Sequence, residues 1–139
     1  RLKNWQNKKI ALKQIIRFLK ISNICLLTEE DLDNLGIKNY EKFIFSNFKN
    51  KLIILRSRNG NISVYDKQNL STFNFVLKRK VKDTTGCGDA FNACFLFYYF
   101  NNFKIKDCLR IAHKLGKDVA NVKGAILKKE NFKLARYGL

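Results

Sequence analysis

Asp83-Thr84-Thr85-Gly86-Cys87-Gly88-Asp89-Ala90-Phe91 is the stretch on which the reading of this chain turns. Thr84 and Thr85 place two hydroxyls just ahead of a long apolar run. Gly86 and Gly88 let the backbone turn tightly and approach a ligand without Cβ obstruction. The apolar run predicts a helix from about Gly86 to Phe100. The N–H groups of its first turn and its dipole form an anion-binding site. Asp89 falls in that first turn, beside the bound anion. Such an arrangement suits phosphoryl transfer: backbone N–H groups from Gly86 to Asp89 supply donors to the transferred group, and Asp89 supplies a base for the accepting hydroxyl. On glycine spacing alone, an ordinary loop ahead of an N-capped helix is the better reading. Two other phosphate motifs are excluded: there is no G-x-x-x-x-G-K-[ST], and Phe91 stands where G-x-G-x-x-G requires glycine.

Outward from this loop, helices alternate with buried strands. Lys8 to Leu19 has apolar residues at helical spacing. Ile24 to Leu27 reads as a buried strand. Thr28 then caps a helix with Glu29, Glu30 and Asp31 in its first turn, where the dipole favours negative charge, and that helix ends near Gly36. Tyr40 to Phe48 reads as an amphipathic helix, and Leu52 to Leu55 as a second buried strand. Asn59-Gly60 signals a hairpin with a return strand through Ile62, Val64 and Tyr65. A further strand is expected at Phe73 to Leu77. Ile105 to Val119 reads as a long helix, Gly124 as a turn, and the last residues as a short helix. The class is α/β, with helices on both faces of the sheet in three α/β/α layers. A single domain over residues 1–139 accommodates the pattern.

The formal charge of +17 on 139 residues is large. It admits a nucleic-acid or anionic-membrane partner. Yet Lys outnumbers Arg three to one, Asn, Ile and Phe abound, and Pro and Met are absent. That composition is what an AT-rich genome writes, and the lysines are scattered. Nucleic acid is therefore not the expected partner, and no apolar run is long enough to span a bilayer. The opening Arg1 points to a fragment or a processed product. The four cysteines, Cys25, Cys87, Cys94 and Cys108, form no C-x-x-C pair and share the chain with one histidine, which argues against a zinc site. Three lie in apolar contexts and read as core residues. A reducing compartment, the cytoplasm, fits best.

The whole nonapeptide is more specific than its glycines. D-T-T-G-C-G-D-A-F resembles the second signature of the PfkB (ribokinase) family of carbohydrate kinases, D-T-x-G-A-G-D-x-F, with Cys87 for Ala. The resemblance implies that Asp89 deprotonates the substrate hydroxyl and that Gly86, Cys87 and Gly88 form the anion hole. It extends to Arg110-Ile111-Ala112-His113 and Lys123-Gly124-Ala125, similar to the R-F-A-H and K-G-A stretches of ribokinases. Those wall the adenine pocket, where backbone carbonyls hold a monovalent cation such as K+. Thr84, Thr85, His113 and Gly124 then belong to the nucleotide site. For His113 a packed or exposed residue is an equal reading.

Upstream, Leu27-Thr28-Glu29-Glu30 takes the place of the family's N-x-x-E, with Glu30 matching the Glu that helps place magnesium and Leu27 replacing Asn. Leu55-Arg56-Ser57-Arg58-Asn59-Gly60 takes the place of T-x-G-x-x-G. It retains only Gly60 and has Ser57 for a Gly. The first segment reads equally as an ordinary acidic first turn; for the second, which the resemblance sets beside the nucleotide with Ser57 and Gly60, a solvated hairpin tip is the better reading.

The resemblance covers Ile24 to Ala125. It implies the C-terminal half of an ATP- and magnesium-dependent kinase acting on a hydroxyl of a sugar or nucleoside. The N-terminal half, with the sugar pocket and a β-sheet lid, has no counterpart here; a dimer is left open. The rival is a non-catalytic, kinase-derived interaction module associated with nucleic acid. The charge, the altered Arg56 to Gly60 turn and the missing half favour it; the intact Asp89 with both glycines favours the kinase.

Overall fold

The computed structural model describes residues 7–48, 51–75 and 81–127. The chain divides after Asn74 into two compact units.

The first unit opens with α1 (Lys8–Ile21), started by Asn7, whose side-chain oxygen accepts the N–H of Lys9 at 2.9 Å. Strand β1 (Ile24–Thr28) runs directly into α2 (Glu29–Asn34). Thr28 ends the one and caps the other. Its hydroxyl accepts from Asp31 N at 3.1 Å, and its own N–H donates to Asp31 Oδ2 at 2.8 Å. Helix α3 (Tyr40–Asn47) is capped in turn by Asn39. Strands β2 (Leu52–Arg56), β3 (Asn61–Asp66) and β4 (Asn69–Asn74) complete a four-stranded sheet of order β1-β2-β3-β4. The β1–β2 pair is parallel and the other two pairs are antiparallel.

Register sets the faces. Cys25, Ile53 and Tyr65 lie side by side across β1, β2 and β3. With Leu55 they form a core with Leu19 of α1, Leu32 of α2, and Ile44 and Phe48 of α3 and its end. The alternate residues Leu52, Ile54, Ile62 and Val64 are buried too. That double burial explains why β2 is an unbroken apolar run.

The second unit is a helical hairpin of α4 (Cys87–Phe100) and α5 (Ile105–Ala120). Phe91, Cys94, Phe95 and Tyr98 of α4 and Cys108, Leu109, Ile111, Ala112 and Val119 of α5 are buried. Gly116 lets the helices close: a Cβ there would meet the Cys87 carbonyl at 3.2 Å. All four cysteines are free, and Cys25, Cys94 and Cys108 are core residues as their contexts indicate. Among the described residues, no helix is long and apolar enough to cross a membrane.

The fourth strand departs from expectation. It spans Asn69–Asn74 rather than beginning at Phe73, and Phe75 lies beyond its end. The reversal before it uses Lys67 at φ 56, a residue type carrying no turn signal. At the sheet edge, five of its six residues are exposed, so no apolar alternation marks it. The rest of the expected strand, residues 76–77, and the expected C-terminal helix lie outside the described residues.

Candidate active site

The loop ahead of α4 is fixed residue by residue. Asp83 Oδ1 accepts the Thr85 N–H at 2.9 Å, and Oδ2 accepts the Gly124 N–H at 2.9 Å. The Thr85 hydroxyl also bonds this carboxylate. These Thr85 bonds first, then the Gly124 N–H and the Lys123 charge, hold the Asp83 carboxyl down at about 2. The Thr84 carbonyl accepts the Cys87 N–H at 3.2 Å.

Gly86 is the N-cap of α4, in left-handed geometry at φ 77. A Cβ on it would lie 2.7 Å from the Ala125 Cβ and 2.8 Å from the Ala125 carbonyl oxygen. Glycine is therefore required twice over, by conformation and by space. Gly88, expected to share the turn, instead lies within the helix; the tight reversal is the work of Gly86 alone. No side chain caps α4. The N–H groups of Gly88 and Asp89 are in its first turn, where no intrahelical carbonyl reaches them. Asp89, in the same turn, is exposed.

A second cluster forms in the first unit, at the carboxyl ends of the parallel strands β1 and β2. Ligands of open α/β sheets bind at such strand ends. Thr28, Glu29, Glu30, Arg56, Ser57 and Arg58 line a pocket of about 210 Å³. Glu30 and Ser57, each singled out in the sequence, thus meet in one place. The Ser57–Gly60 turn closes with the Gly60 N–H on the Ser57 carbonyl at 3.1 Å, and Gly60 takes φ 89. Arg58 is engaged elsewhere: its N–H bonds Glu29 Oε2 at 3.0 Å, and its guanidinium pairs with Asp33 at 2.6 Å. The Tyr40 hydroxyl, and after it Arg58, lower the Asp33 carboxyl below its ordinary value.

His113, on α5, is half-buried, with its ring 5.4 Å from that of Phe75. Three participants were not marked in the sequence: Asp83 as an acceptor from Gly124, Gly116 as the close approach, and Ala125 as the wall against Gly86. Each acts on a partner far along the chain, so local pattern carries no sign of it.

The family model for pfkB family carbohydrate kinase matches residues 2–131. The chain is 28% identical over 136 residues to a 2-dehydro-3-deoxygluconokinase of Haemophilus influenzae, covering 93% of this chain and 43% of that protein. Its fold matches a fructokinase double mutant from Vibrio cholerae O395, bound to fructose, ADP and potassium ion, with TM-score 0.82 and 20% identity. That match covers 99% of this chain and 46% of the other. It also matches aminoimidazole riboside kinase from Salmonella enterica, complexed with aminoimidazole riboside and an ATP analog. There the TM-score is 0.78 at 22% identity, covering 99% of this chain and 48% of the other. The chain belongs to the pfkB family of carbohydrate kinases and carries part of a ribokinase-like α/β fold. It spans less than half the length of these relatives.

Proposed function

We propose that this chain is the C-terminal, nucleotide-handling portion of a three-layer ribokinase-like kinase that transfers the γ-phosphoryl group of ATP to a hydroxyl of a sugar or nucleoside. The observation that carries this reading is the N-terminus of α4. It is uncapped by any side chain and presented by a glycine that tolerates no Cβ, with an exposed Asp89 in the same turn. Gly86, Cys87 and Gly88 form the anion hole. Gly86 and Cys87 shape the turn, the Cys87 N–H closes it on the Thr84 carbonyl, and the first-turn N–H groups of Gly88 and Asp89 face the transferring oxygens. The Asp89 carboxylate takes the proton of the attacking hydroxyl. Rigid presentation matters because such donors act by being in place before charge develops.

In this reading Thr84, Thr85, Gly124 and His113 are nucleotide-binding residues, and the family resemblance assigns the same role to Ser57 and Gly60. Magnesium takes one or two carboxylates with the remainder from phosphates and water, so the Glu30 carboxylate fits its needs. The ion would neutralise phosphate charge. A monovalent cation such as K+, held by backbone carbonyls, is the further cofactor of this reading. The hydroxyl-bearing substrate is read by the sugar-binding half outside this chain. A reducing, cytoplasmic setting is the compartment this reading assigns to a chain with four free cysteines.

The test is a calorimetric titration of the full-length protein with a magnesium-bound, non-hydrolysable ATP analogue. Gly88→Val puts a branched side chain into the first turn of α4 and is expected to weaken binding at least ~10-fold, about 1.4 kcal/mol. Unchanged affinity would mean that the loop does not cradle phosphate. The interaction-module reading draws on the +17 charge. Tight, steeply salt-dependent binding to a duplex DNA control, without nucleotide binding, would replace the kinase reading with it.

A further inference from the structure

We infer that the outward face of α1 docks on an anionic lipid surface, with Ile10, Phe18 and Ile21 entering the interface and a row of cations meeting the headgroups. The inference goes beyond phosphoryl transfer, since α1 holds none of the residues assigned to that reaction.

Helix α1 has two different sides. Ala11, Ile15 and Leu19, each about one turn on from the last, face inward: Ala11 and Leu19 are buried, and Ile15 packs against the core around Leu19. That packing holds the helix, so its other side is presented as a fixed surface. Lys9, Lys13, Arg17 and Lys20 are all exposed there. Recurring at every third or fourth position, they form one line along the helix. The sequence of α1 contains no acidic residue, and among the described residues no carboxylate pairs with these four. The Lys51 ammonium donates to the carbonyls of Lys20 and Ser22. A further cation thus covers the negative end of the helix dipole.

Cations alone describe a solvated face. Beside them stand three large apolar side chains that the core does not take: Ile10, Phe18 and Ile21 are 54%, 62% and 68% exposed. Ile10 and Ile21 lie about three turns apart on one line, with Phe18 flanking it. A cationic row against an apolar row is the composition of helices that lie in the plane of a membrane interface. Lys and Arg clustered on such a helix recognise anionic lipids. Other occupants satisfy one row only. A nucleic-acid backbone pairs with the cations and offers the apolar side chains nothing. A second copy brings the same cations against them, on a chain of formal charge +17. A bilayer surface meets both rows. The helix lies on that surface, since its 14 residues are too few to cross it.

The experiment is co-flotation of the full-length protein with vesicles of phosphatidylcholine alone, and of phosphatidylcholine with roughly one-third phosphatidylserine. Wild type is expected to float with the anionic vesicles only and to be released at ~1 M salt. Lys13→Gln with Arg17→Gln should weaken binding roughly 30-fold. Phe18→Ser should weaken it at least ~10-fold. Both variants should keep the thermal midpoint and the turnover of wild type. No flotation, or equal flotation with neutral vesicles, overturns the inference. A thermal midpoint lowered by Phe18→Ser, with no change in flotation, would show the patch covered by the rest of the protein. Self-association abolished by Phe18→Ser would assign the face to a second copy. Duplex DNA bound as tightly as vesicles, with Phe18→Ser affecting neither, would leave a general polyanion surface; each of these overturns it as well. Should Phe18→Ser not fold, Phe18→Trp decides: its added emission should shift to the blue with anionic vesicles, and an unshifted emission sinks the inference.

Discussion

The two polar clusters are built to different tolerances. In the loop ahead of α4, a Cβ on Gly86 would strike Ala125 at 2.7 Å. In the β2–β3 hairpin, Gly60 also has positive φ, but a Cβ there would meet nothing within 4 Å. One loop is gripped from across the helical hairpin; the other is a solvent-facing turn whose arginine is occupied by Asp33. The difference matches the demands that the proposed chemistry would make. Charge developing on a transferring group must meet donors already in place, whereas a turn that flanks a nucleotide tolerates changed side chains. Departures from the family pattern fall accordingly. They gather at Leu27, Leu55 and Ser57, while the nonapeptide around Gly86 departs only at Cys87, small for small.

The largest expected effect tests the chemical side of that contrast. Asp89→Asn in the full-length kinase is expected to lower turnover by ~10²–10⁴-fold, the usual contribution of a positioned base, while nucleotide affinity is nearly kept. Lost affinity with turnover preserved would remove Asp89 from the reaction. Next in size is a pair of stability measurements. Gly86→Ala combines left-handed strain with a backbone clash and is expected to cost about 3 kcal/mol by denaturant midpoint. Gly60→Ala carries the strain alone, about 1.5 kcal/mol. Equal costs would erase the distinction between a gripped and an open glycine.

A pH titration sharpens the picture further. The Asp83 carboxyl is held at about 2 in the folded chain, against about 4 for an ordinary Asp. Its contribution is therefore complete above about pH 4 and is lost as the pH falls through about 2. The Thr85 and Gly124 amide resonances should titrate with the lower midpoint. A midpoint near 4 would show a carboxylate without its donors. The smallest effect is expected at the hairpin. Arg58 is 67% exposed and its ion pair is on the surface. Arg58→Ala should cost at most about 1 kcal/mol and leave ATP affinity within about twofold. A tenfold loss would make the hairpin a phosphate grip and break the comparison.

What could be read in advance follows a physical line. Helices with an apolar period and a capping residue were legible, including Thr28 with its acidic turn and the long run into Phe100. Strand β2 announced itself by being apolar on both faces. Strand β4 did not, because an exposed edge strand needs no apolar alternation and its turn uses Lys67 in place of Gly or Asn. The candidate anion loop was legible as a contiguous word. Its supports were not: nothing near Asp83 in sequence announces Gly124, and nothing near Gly116 announces the Cys87 carbonyl. Contacts made through space leave residue types behind, but not patterns.

The span between Asp83 and Gly124 also sets an order of events during synthesis. The 41-residue separation is spanned by the α4–α5 hairpin and its flanks, so loop closure is paid for by packing those two helices together first. On the ribosome, the segment that carries Asp89 emerges well before the turn that will brace it. The nascent chain therefore holds the Asp83–Phe91 loop without its brace until residue 125 has cleared the exit tunnel. A pause in translation beyond Phe100 would lengthen that interval.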